Sequence, residues 1–335
     1  MSSALRYLDR QAVIQLGGTD PRQAFNDVVE VVGLMRRGDA HMTPESHIDL
    51  ATPRGKAYAL PASVGGRFNA AGVKWTAHRP QIADQWPQAM AITLINRLTD
   101  GMPIGMVESA ALTATRTAAV SAVALRYAAP QKVRRVLLIG AGVQAQAHIE
   151  MLRVLFPTLE KLTWWNRTPD TPQRIFAALP ALPWPVAFPD TLHQALLTDY
   201  DALIACTSAA TPFLGADALR PGGIVLQVGY HEVSFSAIRQ ASKVVVDLWG
   251  EFCQTSAKSL FQMYRAGEFD PQRLSADLGQ LLLDGWRCSA HDSVYFSSFG
   301  LNVFDIALAA RVLQDAALHA SGAMLPFLQR NNDVD

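Results

Sequence analysis

The chemistry of this chain is first visible in residues 133–148, VRRVLLIGAGVQAQAH, where an apolar run ends in Gly140-Ala141-Gly142 and passes into helix-forming residues. Val136 to Ile139 read as a strand covered on both faces, because such a strand loses the polar alternation of a half-exposed one. Gly140 supplies the tight turn. Gly142 has no Cβ to hold a pyrophosphate away from the backbone of Gly140, Ala141, Gly142, Val143 and Gln144, and Ala145 lets helix and strand pack closely. A G-x-G-x-x-A between strand and helix predicts a dinucleotide site. About 20 residues further on, a site for NAD places an acid that holds the ribose 2′-hydroxyl. This chain has Asn166-Arg167-Thr168 there. A guanidinium and two short hydrogen-bonding side chains suit a 2′-phosphate, which a carboxylate would repel. The expected cofactor is therefore NADP (NADPH) in preference to NAD. The alternative leaves Arg167 as a solvated loop residue and Asn166 as the start of a turn before Pro169.

Residues 133–248 supply the scaffold for these groups. Strand candidates at Val136 to Ile139, Leu162 to Trp165, Val186 to Phe188, Ala202 to Cys206, Ile224 to Val228 and Val244 to Asp247 alternate with helix candidates at Gln144 to Phe156, Pro172 to Ala178, Thr191 to Thr198 and Phe235 to Gln240. That order predicts an α/β fold of Rossmann type, a doubly wound and mostly parallel sheet. Cys206-Thr207-Ser208 then close the fourth strand at the carboxyl edge, where such sheets bind ligands. The first 130 residues read as a separate α+β unit. Asp20 to Gly38 predicts an amphipathic helix with a capping Asp and Pro21 in its first turn. Lys56 to Pro61, Val73 to Thr76 and Ala89 to Asn96 are strand-like, with Gly65-Gly66 and Asp100-Gly101 as breaks, the second a hairpin turn. Ala110 to Tyr127 reads as a small-residue helix joining the two units. Val303 to His319 is an apolar helix that returns to the first.

Composition narrows the function classes. The chain has 335 residues, half of them apolar, which is enough for two cored domains. Its 29 basic and 29 acidic residues balance without a basic stripe, so nucleic acid is not expected as a partner. The start, MSSALRYLDRQ, lacks a secretory pattern and no apolar run reaches spanning length, so a cytoplasmic protein without a membrane partner is expected. Three scattered cysteines and eight histidines show neither a disulfide framework nor ligand spacing, and no metal is expected.

Four stretches together resemble one family, that of ornithine cyclodeaminase and mu-crystallin. They are Gly72-Val73-Lys74-Trp75, Glu108 to Tyr127 (ESAALTATRTAAVSAVALRY), Gly140 to His148, and Phe296 to Asp305 (FSSFGLNVFD), in family order and nearly end to end. The resemblance implies a homodimer, with residues 1–118 and 303–335 as the dimerisation and substrate domain and 119–302 as the Rossmann domain. It implies reductase, dehydrogenase or cyclodeaminase chemistry on amino acids and their imines. Lys74 matches an active-site lysine that hydrogen-bonds substrate or passes a proton, and Arg116 an arginine that grips a carboxylate or phosphate; the plainer alternatives are a surface lysine beside Trp75 and a helix-surface charge. Thr117 is implied as a phosphate partner, Ser298 as a serine near the nicotinamide, and Val228-Gly229 as the cofactor-side turn after the fifth strand. Asp305 matches a family aspartate, with a purely structural hydrogen-bonding role as an equal alternative. Asn166-Arg167-Thr168 is similar to the family's NADPH-binding segment.

Two positions depart from the family pattern. Pro44-Glu45 stands where a Pro-Arg pair usually holds the substrate carboxylate. Glu45 either receives an ammonium or guanidinium group or is a solvated loop charge, and Arg54 and Lys56 are the candidate replacement cations. Val228-Gly229-Tyr230-His231-Glu232 places His231 at or next to a catalytic aspartate of the cyclodeaminase. Histidine passes a proton in either direction at neutral pH, with Glu232 to orient or replace it. The other reading is a capping turn before Phe235. The function expected is an NADPH-dependent imine (ketimine) reductase or amino acid dehydrogenase, moving hydride to or from the α-carbon. The alternatives are a redox-neutral amino acid cyclodeaminase with bound NAD, and a non-catalytic NADP-binding subunit. The loss of the usual arginine at Glu45 is the best support for the last, and Gly65 to Asn69 (GGRFN) is also similar to a branch described as a tyramine oxidase subunit.

Overall fold

The computed structural model describes residues 3–79 and 86–328, so the end of the expected 303–335 segment lies outside the described residues. In chain order the strands are β1 (Ser3–Leu8), β2 (Ala40–Met42), β3 (Ser46–Asp49), β4 (Lys56–Val64), β5 (Ala70–His78), β6 (Ala89–Arg97), β7 (Pro103–Glu108), β8 (Arg135–Ile139), β9 (Lys161–Trp165), β10 (Val186–Ala187), β11 (Ala202–Ala205), β12 (Ile224–Gln227), β13 (Lys243–Val246), β14 (Leu274–Ala276), β15 (Val294–Ser297) and β16 (Ala323–Leu328). Two units divide the chain: residues up to Arg116 together with those from Leu301 form one, and Thr117–Gly300 the other.

The first unit is built on a sheet ordered β16-β1-β7-β6-β5-β4-β2, with β3 also on β4. Its pairs are antiparallel except β1 with β7. The Asp100-Gly101 turn joins β6 to β7, and Gly101 takes the positive φ of 73° that such a turn asks of glycine. One face is covered by two helices. Pro21–Arg37 begins at Asp20, whose carboxylate accepts the Gln23 N–H at 2.9 Å, and ends at Gly38 in the left-handed region. Asn302–Leu318 is apolar nearly all round because nearly all of it is buried. Its single buried arginine, Arg311, donates from Nε to Asp27 on the other helix at 2.7 Å.

The second unit is an all-parallel sheet ordered β10-β9-β8-β11-β12-β15-β13-β14. The expected strands are present, with one insertion: β15, from nearly fifty residues later in the chain, enters between β12 and β13. Its sequence, VYFS, is fully buried and short, with no alternation to announce a strand. The helix expected at Pro172 to Ala178 instead spans Asp170–Phe176. Pro172 sits in its first turn, where backbone N–H groups have no intrahelical acceptor and proline costs nothing.

Register across this sheet aligns one row of residues: Trp165, Ile139, Ala205, Gln227, Ser297 and Val246 stand side by side on β9, β8, β11, β12, β15 and β13. The next residue on each strand is Asn166, Gly140, Cys206, Val228, Ser298 and Asp247. Five of those six were picked out from the sequence as cofactor contacts. Residues from Gly140 to Ser298 thus share one carboxyl edge.

Candidate active site

In the first unit, β5 and two helices bring four side chains together. Alternation along β5 turns Lys74 to the helix-covered face and Trp75 to the opposite, exposed face. Thr113 and Arg116 lie three residues apart on the helix Ala110–Tyr127 and so share a face. Asp305 stands in the first turn of Asn302–Leu318, where the helix dipole favours a carboxylate. Lys74 Nζ is 2.8 Å from Asp305 Oδ2 and 3.4 Å from Thr113 Oγ1. Thr113 Oγ1 donates to Asp305 Oδ1 at 2.9 Å, and Arg116 Nε to the same oxygen at 3.2 Å.

Lys74, Arg116 and Asp305 are each less than 7% exposed. Neither cation is therefore a surface charge. Burial lowers the Lys74 pKa and Arg116 adds to that, while Asp305 and Glu45 pull against it; the net direction is downward. Burial alone would raise Asp305, but Arg116, Lys74 and the hydrogen bonds outweigh it and hold the carboxyl below its ordinary range. Two buried cations share one carboxylate, which leaves the cluster one positive charge in excess.

Glu45, just before β3, is half-buried. Burial raises its pKa, opposed by His47, Lys74 and Lys56. Lys56 is engaged by Asp49 at 3.7 Å and His47 at 3.4 Å, and Arg54 is an exposed turn residue with φ 56°. His47, Tyr58 and His78 stand ring to ring across β3, β4 and β5, with centroids 5.7 and 5.6 Å apart. Tyr58 lies opposite Thr76, which places this ladder on the face that Lys74 occupies.

In the second unit, Gly140 turns at φ 109°, and a Cβ there would strike the Cys206 carbonyl and crowd the Thr207 methyl. Only glycine fits. Gly142 caps the helix Val143–Leu155 with no side chain folded over its N–H groups, and the space where its Cβ would stand is empty. Free N–H groups at an uncovered helix start are what a pyrophosphate requires, so these residues fit a dinucleotide. Asn166 donates its amide to the Thr168 carbonyl at 3.0 Å, which shapes the turn, and Arg167 and Thr168 are exposed at its rim. Cys206 is buried with its thiol pKa pushed well up, chiefly by burial, so it packs and does not ionise. Thr117 is buried within its helix, and Ser208 is exposed just past β11.

His231 and Glu232 occupy different settings. His231 is half-buried, with Nδ1 3.0 Å from Ser259 Oγ; burial lowers its pKa. Its hydrogen-bond partner is therefore Ser259, not the glutamate expected to orient it. Glu232 is wholly buried, and its Oε1 accepts from the Thr207 N–H at 2.8 Å and Thr207 Oγ1 at 3.2 Å. Ser298 Oγ donates to Asp247 Oδ2 at 3.3 Å, and the same oxygen accepts the Gly300 N–H at 2.7 Å. Thr113, Lys258 and Asp247 were not identified from the sequence. Thr113 was open to detection, three residues before Arg116 on one helical face. Nothing in the local sequence marks Lys258.

Among the described residues no helix is long and apolar enough to cross a membrane, and no cluster of three His, Cys, Asp or Glu side chains stands ready for a metal. A glycine-turned parallel sheet in one unit and a buried lysine-arginine-aspartate cluster in the other define a class of two-unit dinucleotide proteins. Residues 16–321 match the ornithine cyclodeaminase/mu-crystallin family, and the chain belongs to it. An N-((2S)-2-amino-2-carboxyethyl)-L-glutamate dehydrogenase of Staphylococcus aureus is 22% identical over 97% of this chain and 99% of its own. A Delta(1)-pyrroline-2-carboxylate reductase of Bacillus cereus is 26% identical over 90% and 96%. Among solved structures, an archaeal alanine dehydrogenase dimer with bound NAD superposes with a TM-score of 0.83 at 23% identity, covering 97% of this chain and all of the other.

Proposed function

We propose that this chain, an NAD(P)-dependent oxidoreductase acting on C–N bonds, is an NADPH-dependent imine reductase or amino acid dehydrogenase working at the α-carbon of an amino acid or its imine. The observation that carries the reading is the buried cluster in which Lys74 and Arg116 share Asp305. Its excess positive charge suits a substrate carboxylate, since an uncompensated buried cation is costly. Lys74, with its pKa lowered by burial, is suited to give a proton to the substrate nitrogen during reduction and to take it back during oxidation. When bound, the nicotinamide supplies or accepts the hydride. Gly140 to Gln144 hold its pyrophosphate, and Arg167 with Asn166 and Thr168 hold the 2′-phosphate. His231, whose pKa burial keeps low, is the second proton carrier.

A homodimer belongs to the same proposal. Ile48, Trp75, Met90 and Ile92 stand exposed on the sheet face opposite Lys74, with Trp75 directly across from Ile92. A second copy of this face is the occupant proposed; the archaeal alanine dehydrogenase that superposes on this chain is itself a dimer. Trp75→Glu should leave a monomer in sedimentation velocity, where the unaltered chain sediments as a dimer.

The experiment for the activity is a panel of cyclic imines, and of 2-oxo acids with amines, followed by NADPH oxidation. Turnover with one of them supports the reading. A protein that neither binds nor oxidises NADPH sinks it. Ammonia release from ornithine, lysine or arginine with no net cofactor change would favour the redox-neutral alternative.

A further inference from the structure

Three buried titratable side chains in the second unit each anchor the backbone of one turn at the carboxyl edge. Asp247 holds the Ser298–Gly300 turn, as described above. Lys258, 3% exposed, donates from Nζ to the Val228 carbonyl at 2.5 Å and the Gly229 carbonyl at 2.7 Å. Glu232 holds Thr207 through both its N–H and its hydroxyl. The backbone of Glu232 is itself pinned, because its carbonyl accepts the N–H groups of Phe213 and Leu214 at 2.9 Å each. Gly229 lies against the Glu232 carboxylate and the Thr207 carbonyl so closely that no Cβ fits between them. The turn after β11 and the turn after β12 are thereby welded into one body. Keeping a lysine out of water to hold two carbonyls is expensive, and Glu232 Oε2 is buried without a hydrogen-bond partner among the described residues. A plain structural turn needs neither; such groups call for an explanation in function.

The place of the weld supplies one. In the sheet order, β9 with Asn166-Arg167-Thr168 lies on one side of β8 and its glycine turn, and β11 and β12 lie on the other. A dinucleotide crosses such an edge with its pyrophosphate at the glycine turn. If the adenosine half goes to β9, the ends of β11 and β12 are left to the nicotinamide half. We propose that Glu232 and Lys258 are positioning residues for the nicotinamide half of the cofactor, acting through the backbone of Thr207, Val228 and Gly229. The inference rests on the dinucleotide reading above. It goes beyond that reading by assigning two residues to one half of the ligand.

Binding alone tests it, with the full chain and no turnover. Whichever of NADPH and NADH binds tighter is titrated by its nicotinamide fluorescence. The adenosine-half fragment, 2′,5′-ADP or ADP to match, is titrated by calorimetry. Glu232→Ala and Lys258→Met should each raise the dinucleotide Kd at least about tenfold, or about 1.4 kcal/mol, and leave the fragment within about twofold. Glu232→Gln keeps an acceptor for the Thr207 N–H and should stay within about threefold of the parent. Equal weakening of dinucleotide and fragment would mean general loss of structure and overturn the assignment, as would no change in either. If the two disruptive variants do not fold, Thr207→Val decides: a dinucleotide Kd raised less than about threefold, with the fragment unchanged, also overturns it. A parent chain that binds no nucleotide refutes the dinucleotide reading itself, whereas binding by the parent and equal binding by the variants removes only this inference.

Discussion

Replacing Asp305 by Asn tests the link between the buried cluster and proton transfer. At 2.8 Å from Lys74 Nζ, a unit negative charge in a medium of effective dielectric about 20 is worth about 6 kcal/mol, or about four pKa units. That figure is a ceiling. Arg116 draws on the same carboxylate at 3.2 Å, and an asparagine oxygen still accepts one hydrogen bond. Neighbouring charges at such range shift pKa values by about 1–3 units, and that is the change expected. The direction follows from the charge: the carboxylate favours the ammonium form, so its loss lowers the Lys74 pKa further. If Lys74 acts as the protonated acid in imine reduction, activity falls as pH rises through that pKa. The alkaline limb of kcat/KM should therefore move to lower pH by about 1–3 units in Asp305→Asn. Two cations left buried together cost about 3–5 kcal/mol of stability, so the profile is measured at low temperature with circular dichroism confirming the fold. A limb that stays in place or moves up refutes the assignment, as does an unchanged limb in Lys74→Met.

Further expectations follow from other residues. Arg167→Ala should raise the Kd for NADPH about 10- to 100-fold, the worth of a charged hydrogen bond, and leave NADH nearly unchanged; equal effects on both would remove the 2′-phosphate role. His148 is wholly buried, with Nε2 2.8 Å from Ser121 Oγ and Nδ1 2.7 Å from the Gln144 carbonyl, and burial lowers its pKa to about 4. Its folded pKa lies below the unfolded value of about 6.5, so unfolding takes up a proton between those limits and stability declines by about 3 kcal/mol as pH falls from 6.5 to 4. Urea unfolding across that range should lose this part of its slope in His148→Leu; an identical slope in the variant would show that other groups carry it. Glu45→Arg should shift preference from substrates with a cationic side chain toward those without one, read as the ratio of kcat/KM values on paired substrates. No change in that ratio returns Glu45 to the role of a solvated loop charge.

What could be read in the sequence depended on whether a signal was local. The glycine turn, its flanking strand and helix, and the caps of Pro21–Arg37 all follow from residues within one or two turns of each other. In the row Asn166, Gly140, Cys206, Val228 and Ser298, the first three follow from local cues and the last two from the family resemblance, and the sheet register sets them side by side. Strands β1 and β16 pair across nearly the whole chain, and no local pattern encodes such a partner. The same holds for β15. The anchoring roles of Glu232 and Lys258 escaped for a related reason, since each depends on a backbone group that the fold brings near. His231 looked like the chemical residue of its turn because histidine titrates near neutral pH. Its neighbour Glu232 is the one that the fold buries and binds to the Thr207 backbone.

The charge balance of the first unit bears on which substrate fits. Lys74 and Arg116 are positive and Asp305 negative, all of them buried. An arginine at position 45 would bring the site to two positive charges in excess, suited to a strongly anionic substrate. With Glu45 ionised, the site is neutral before anything binds. A carboxylate alone would then leave it negative, at a cost that grows as water is excluded. A substrate bearing both a carboxylate and a distant cation keeps the balance. Lys56, shared with Asp49 and His47, offsets Glu45 only in part, since burial still raises the Glu45 pKa against it. The raised pKa of Glu45 gives a second way to balance: a proton taken up by Glu45 restores the excess positive charge for a substrate without a cation. Substrates lacking a cationic side chain should then bind with net proton uptake and weaken as pH rises. Substrates carrying one should bind without that dependence, so the two classes are separable by the pH dependence of KM on a single preparation.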